Sequence, residues 1–104
     1  MKHKLQYSPE SMRDLEEIHE YITDELRNPD AASSLITDIL DAAERLEEFP
    51  ESGAPLASIT LIPNGYRFIP VQNHLVFYRV QHPNVFIDRI LYARRDYMRV
   101  LFEN

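Results

Sequence analysis

Cysteine is absent from this 104-residue chain. That excludes disulfides and thiolate metal sites as sources of stability, so the fold has to be held by packing. Long apolar runs are absent too: no window approaches the ~18 residues of a membrane span. The opening "MKHKLQYSPESMRDL" has no apolar stretch of signal-peptide length. The expectation is a soluble protein that stays in the cytoplasm with no membrane partner. Lysine is scarce, occurring only as Lys2 and Lys4, and the two glycines, Gly53 and Gly65, fall in one stretch. His3, His19 and His82 show no metal-ligand spacing, and no cofactor is expected. The length fits one domain, residues 1–104.

What the chain does have is an uneven distribution of charge within its net −6. Residues 1–52 hold five basic residues against fourteen carboxylates, a balance of −9, whereas the remainder holds six against three, a balance of +3. All six later cations are arginine, whose planar fork grips phosphate or carboxylate at two points. A net-acidic protein can thus carry a basic working face. The densest part is "RILYARRDY", residues 89–97. Arg94 and Arg95 are consecutive at a strand end, so their side chains diverge and Asp96 neutralises at most one of them. The other is left to seek an anion.

His3 to Tyr7 reads as a short strand, and Ser8 followed by Pro9 as an N-cap and first helical residue. Met12, Leu15, Ile18, Ile22 and Leu26 recur at helical spacing, with Asp14, Glu16, Glu17, Glu20 and Asp24 on the intervening faces. Asn28 and Pro29 repeat the same start signal for a second helix. Its apolar stripe runs Ala32, Leu35, Ile36, Ile39, Leu40, Ala43, Leu46 and ends near Phe49, before Pro50. Both stripes are expected to be core. So short a connection makes the two helices antiparallel neighbours. A brief strand is expected around Ile59 to Ile62, within a loop rich in proline and glycine. From Tyr66 the period changes to two: "YRFIPV", "HLVFYRV" and "VFIDRILY" read as three antiparallel strands in a meander. Pro70 places the first of them at an edge or a bulge. "ARRDYMRVLFEN" reads as a short helical or irregular ending. The fold class is α+β: an N-terminal strand and an antiparallel helical hairpin packed on one face of an antiparallel β-sheet.

The order strand, helical hairpin ending in "FPESG", then "GYRFIPV", "NHLVFYRV" and "VFIDRILYARRDY" resembles the RelE/ParE superfamily, toxins of bacterial type II toxin–antitoxin systems. The likeness covers essentially the whole chain. It implies a RelE/ParE-like fold and a cytoplasmic toxin held in a hetero-oligomer by a cognate antitoxin. It implies one of two targets as well: RelE-like members cut mRNA on the ribosome as metal-independent endoribonucleases, whereas ParE-like members poison DNA gyrase and are not enzymes. Fold alone does not choose between them.

Metal-free RNA cleavage needs a base for the 2′-OH, cations for the scissile phosphate and an acid for the leaving oxygen. By position in the family pattern, Arg94 is expected to stabilise phosphate and Arg67 to bind it. Tyr97 is the candidate acid or stacking residue, and His74 the candidate base. Arg79 and Arg89 are expected to pair with Asp88 or with helix carboxylates, and Tyr66, Tyr78 and Tyr92 to pack. Two features depart from the nucleases: the scarcity of lysine, since holding RNA relies on phosphate neutralisation, and Leu75, which stands where some RelE-like enzymes place a catalytic cation. The arginines and Tyr97 make the nuclease the leading expectation. A gyrase poison, or a homologue that only binds its antitoxin, is the alternative.

Overall fold

The computed structural model describes residues 2–58 and 65–102. Over them the chain runs β1 (Lys4–Tyr7), α1 (Pro9–Glu20), a π-helical turn (Tyr21–Glu25), α2 (Pro29–Arg45), a two-residue β2 (Ala54–Pro55) and a 3-10 turn (Leu56–Ser58). It continues through β3 (Arg67–Val71), β4 (His74–Gln81), β5 (Asn84–Tyr92) and α3 (Tyr97–Phe102). The strand expected around Ile59 to Ile62 lies outside the described residues.

Local chemistry sets both helix starts. Ser8 Oγ accepts the Ser11 N–H at 2.9 Å and Asn28 Oδ1 accepts the Ala31 N–H at 3.1 Å, each ahead of a proline at the first helical turn. The first helix ends earlier than its apolar spacing predicts. At Tyr21 it widens by one residue per turn, and the Leu26 N–H reaches back five positions to the Tyr21 carbonyl at 3.2 Å. Arg27, with φ of 51°, then turns the chain into α2.

The sheet order is β1-β5-β4-β3-β2. β3, β4 and β5 form the expected antiparallel meander, and β1 lies parallel to β5 with Lys4 opposite Asn84. β2 pairs only Arg67 and Phe68. Among the described residues Pro70 therefore has no strand on the outer edge of β3, and its missing N–H removes no ladder bond among them. A bulge places Asp88 between the pairs Phe77–Arg89 and Tyr78–Ile87.

Val76, Phe77 and Tyr78 are consecutive and all fully buried, so both faces of the sheet centre are covered. On one face Leu35, Ile39, Ala42, Ala43 and Leu46 of the hairpin pack on Val76, Tyr78, Val85, Ile87 and Ile90. On the other, Leu56, Phe77 and Leu91 are covered by Tyr97, Val100 and Leu101 of α3. The expected apolar stripes need correction at three places: Met12, Leu26 and Leu40 are 49%, 57% and 41% exposed. For Met12 the reason is rotational. α1 presents Ser11 and Asp14 to the sheet, both buried, which swings Met12 outward.

Candidate functional site

Asp14 explains why a carboxylate faces inward. Beyond Tyr7 the chain leaves β5 to start α1, so the upper half of β5 loses its strand neighbour. Asp14 takes over that edge: Oδ2 accepts the Ile90 N–H at 2.9 Å, and both oxygens accept Arg89, at 2.8 and 2.9 Å. Ser8 covers the preceding positions, its N–H bonded to the Ile87 carbonyl and its hydroxyl to that of Asp88. Arg79 is also spent. It meets Asp88 through Nε at 2.5 Å and lies 6.0 and 5.9 Å from the ring centres of Tyr66 and Phe86. Hydrogen bonding to the carboxylate is the main reason that both arginines hold their protons more tightly than usual. Both were expected to be paired, and both are.

The four residues picked out as a site do not converge. Arg67 lies at the start of β3 and donates to the backbone carbonyls of Gly53 at 2.8 Å and Glu51 at 3.2 Å. The same loop is pinned by the Gly53 N–H, which donates to Tyr78 Oη at 2.9 Å in a buried position. A side chain at Gly53 would stand 2.8 Å from the Phe68 carbonyl oxygen. His74 opens β4 at the other end of the sheet, roughly 13 Å along the strand from the Arg67–Tyr78 pair. Tyr97 is on the face opposite the hairpin, with its ring 5.3 Å from that of Phe77. Arg94 lies in the exposed turn after β5.

What the fold does assemble is a cavity of about 580 Å³ between the end of α1, the π-helical turn, the β3–β4 turn and the end of β5. Its walls are Ile18, Ile22, Leu35 and Ile90; its polar lining includes His74, Arg95, Glu17 and Asn73. Tyr21, Leu26 and Tyr92 line it while remaining 57%, 57% and 43% exposed. His74 is edge-on to Tyr92 at 5.6 Å, its Nδ1 is buried without a hydrogen-bond partner, and burial holds its imidazole below the usual histidine range. Of the sequence-predicted residues, only His74 lines this cavity. Arg95, rather than Arg94, joins it there. Arg94 and Arg95 make no side-chain hydrogen bond or ion pair among the described residues.

Tyr21 and Tyr92 were missed as site residues. Tyr92 was read as packing because it continues the alternation of a buried strand, and Tyr21 fell between the apolar positions of α1. The signal that could have found Tyr92 is its register: it pairs with His74 at the end of the sheet, where the helical cover stops.

Residues 5–97 match the family of the ParE toxin of type II toxin–antitoxin systems, parDE. No curated protein matches the sequence. Among solved structures, a chain of the chromosomal ParDE toxin–antitoxin system from P. aeruginosa superposes with a TM-score of 0.74 at 21% identity, covering 89% of this chain and 98% of that one. A chain of the E. coli DinJ–YafQ toxin–antitoxin complex gives 0.55 at 14% identity, covering both chains fully. The fold is thus the RelE/ParE one. The family match spans most of the chain, which belongs to the ParE toxin family.

Proposed function

We propose that this member of the ParE toxin family works by disabling a protein target, DNA gyrase, and is held in check by a cognate antitoxin, instead of cutting mRNA. One observation carries the reading: the four residues expected to run a metal-free cleavage, Arg94, Arg67, Tyr97 and His74, are dispersed over both faces and both ends of the sheet. Arg79, Arg89 and Arg67 are tied to Asp88, Asp14 and backbone carbonyls. The sheet face away from the hairpin carries α3, seated on Phe77 and Leu91. Burial holds the His74 imidazole below the usual histidine range, and His74 is the residue expected as base, yet Tyr97 lies across the sheet from it, leaving no nearby acid among the four residues expected at the site.

The exposed aromatics and arginines favour a protein partner. Tyr and Arg are enriched where proteins meet, and the apolar cavity lined by Tyr21, Leu26, Tyr92 and Arg95, with Arg94 next to it in the exposed turn after β5, has that composition. An antitoxin bearing carboxylates would neutralise the two arginines as it covers the cavity.

Induced expression of the chain alone in a bacterium tests the reading. Growth arrest with broken DNA and intact translated messages is expected, unchanged in message pattern by Arg94→Ala. New cuts in translated messages that vanish in Arg94→Ala would instead establish the nuclease.

A further inference from the structure

Two histidines that show no ligand spacing along the chain are carried to one place by the fold. His3 precedes β1 and His82 lies in the β4–β5 turn; the parallel pairing of Lys4 with Asn84 sets them side by side. Their ring centres are 4.7 Å apart, and His3 Nε2 faces His82 Nδ1 at 2.5 Å. In neutral rings, at least one of two nitrogens so close must point its lone pair at the other. Behind His82, its other nitrogen Nε2 stands 3.8 Å from Glu51 Oε1. Behind His3, Nδ1 is buried without a hydrogen-bond partner. Two imidazole nitrogens thus meet at one place, with a carboxylate near the other nitrogen of one ring, and a metal-bound histidine is oriented by a group on its other ring nitrogen.

We infer that His3 and His82 are two ligands of a site for a divalent transition ion of the zinc type, with Glu51 orienting His82 from behind and water completing the coordination. Imidazole suits zinc, and Zn–N bonds of about 2.0–2.1 Å at a tetrahedral angle put two nitrogens roughly 3.3 Å apart. The pair therefore opens by less than ~1 Å. His82 can supply that movement because its side chain is 64% exposed, whereas His3 is anchored by its own N–H to the Glu47 carbonyl at 2.8 Å. The proton shared at the contact moves to the far nitrogen of its ring, so both lone pairs face the ion and no proton is lost.

Among the described residues no three or more His, Cys, Asp and Glu converge. The site is accordingly a two-residue clip of modest affinity, and its consequence is mechanical. It ties the start of β1 to the β4–β5 turn and, through Glu51, to the segment after α2. It sits at the other end of β5 from Arg94 and Arg95, roughly 25 Å away along the strand, and is independent of the proposed target.

Thermal unfolding of the full chain, without an oligohistidine tag and in a non-chelating buffer, tests it with zinc chloride from zero to 1 mM. The midpoint should climb with the logarithm of zinc concentration, by roughly 5 °C or more once zinc exceeds its dissociation constant tenfold. Magnesium should do nothing. His3→Ala and His82→Ala should each abolish the climb, and His19→Ala on the exposed face of α1 should keep it. If the alanine variants fold poorly, His82→Gln removes the imidazole while keeping a polar side chain at the turn. Imidazole NMR of the unsubstituted protein then reads the ligands directly, with zinc moving the His3 and His82 signals alone. A midpoint indifferent to zinc, or a climb that survives in His82→Ala or His82→Gln, overturns the site.

Discussion

Asp14 accepts three hydrogen bonds from β5, and its side chain is only 7% exposed. Asp14→Ala would leave the Arg89 cation and the Ile90 N–H without a partner in a largely dry place. The expected loss is about 3–5 kcal/mol, read by urea unfolding, with Asp14→Asn losing less because one acceptor remains. A change under ~0.5 kcal/mol, the usual size for a surface substitution, would refute the edge-capping role. His74 gives a prediction in pH. Burial lowers its folded value, so the unfolded chain takes up the proton first. Stability from this group is complete above the unfolded value of about 6.5 and declines as pH falls through the lowered folded one. His74→Gln should therefore flatten the stability profile between pH 7 and 5, and an unaltered slope would contradict the assignment. Tyr78→Phe removes the oxygen that receives the buried Gly53 N–H. It should cost about 1–3 kcal/mol, visible as a lowered unfolding midpoint.

At the scale of elements, what could be read from sequence was what local chemistry decides. Ser8 with Pro9 and Asn28 with Pro29 mark helix starts through contacts within three residues, and the period-two strands announce the meander. The departures arise where a distant partner intervenes. Asp14 reads only as one of five carboxylates on the faces between the apolar positions, because nothing local shows that β5 loses its strand neighbour there. The π-helical turn shifts Leu26 off the buried stripe, and apolar spacing does not encode that extra residue. α3 covers a second sheet face that alternation alone leaves unassigned. Its anchoring can be tested: Tyr97→Ala removes a half-buried ring packed on Phe77. A loss of about 2 kcal/mol is expected, with translated messages intact in the variant as in the parent, since Tyr97 is given no catalytic part. A stability-neutral variant that lost a message-cutting activity would reverse that assignment.

Over the whole molecule, the charge asymmetry was legible from the chain and its use was not. Six arginines in the second half suggested a phosphate-binding face, but a sequence does not show that Arg79 meets Asp88, that Arg89 meets Asp14, or that Arg67 holds the Gly53 loop. Arg99 belongs to α3, and Arg94 and Arg95 stand at one end of the sheet, Arg95 lining an apolar cavity with exposed tyrosines. Of the four residues expected at one site, His74 lines the cavity and the others stand apart from it, because the four come from both faces and both ends of the sheet. The most direct measurement of the central claim uses purified protein. The chain is incubated with DNA gyrase, ATP and plasmid, and separately with programmed ribosomes carrying mRNA. The account predicts cleaved or incompletely supercoiled plasmid and uncut message; intact gyrase activity together with message cut on the ribosome would contradict it.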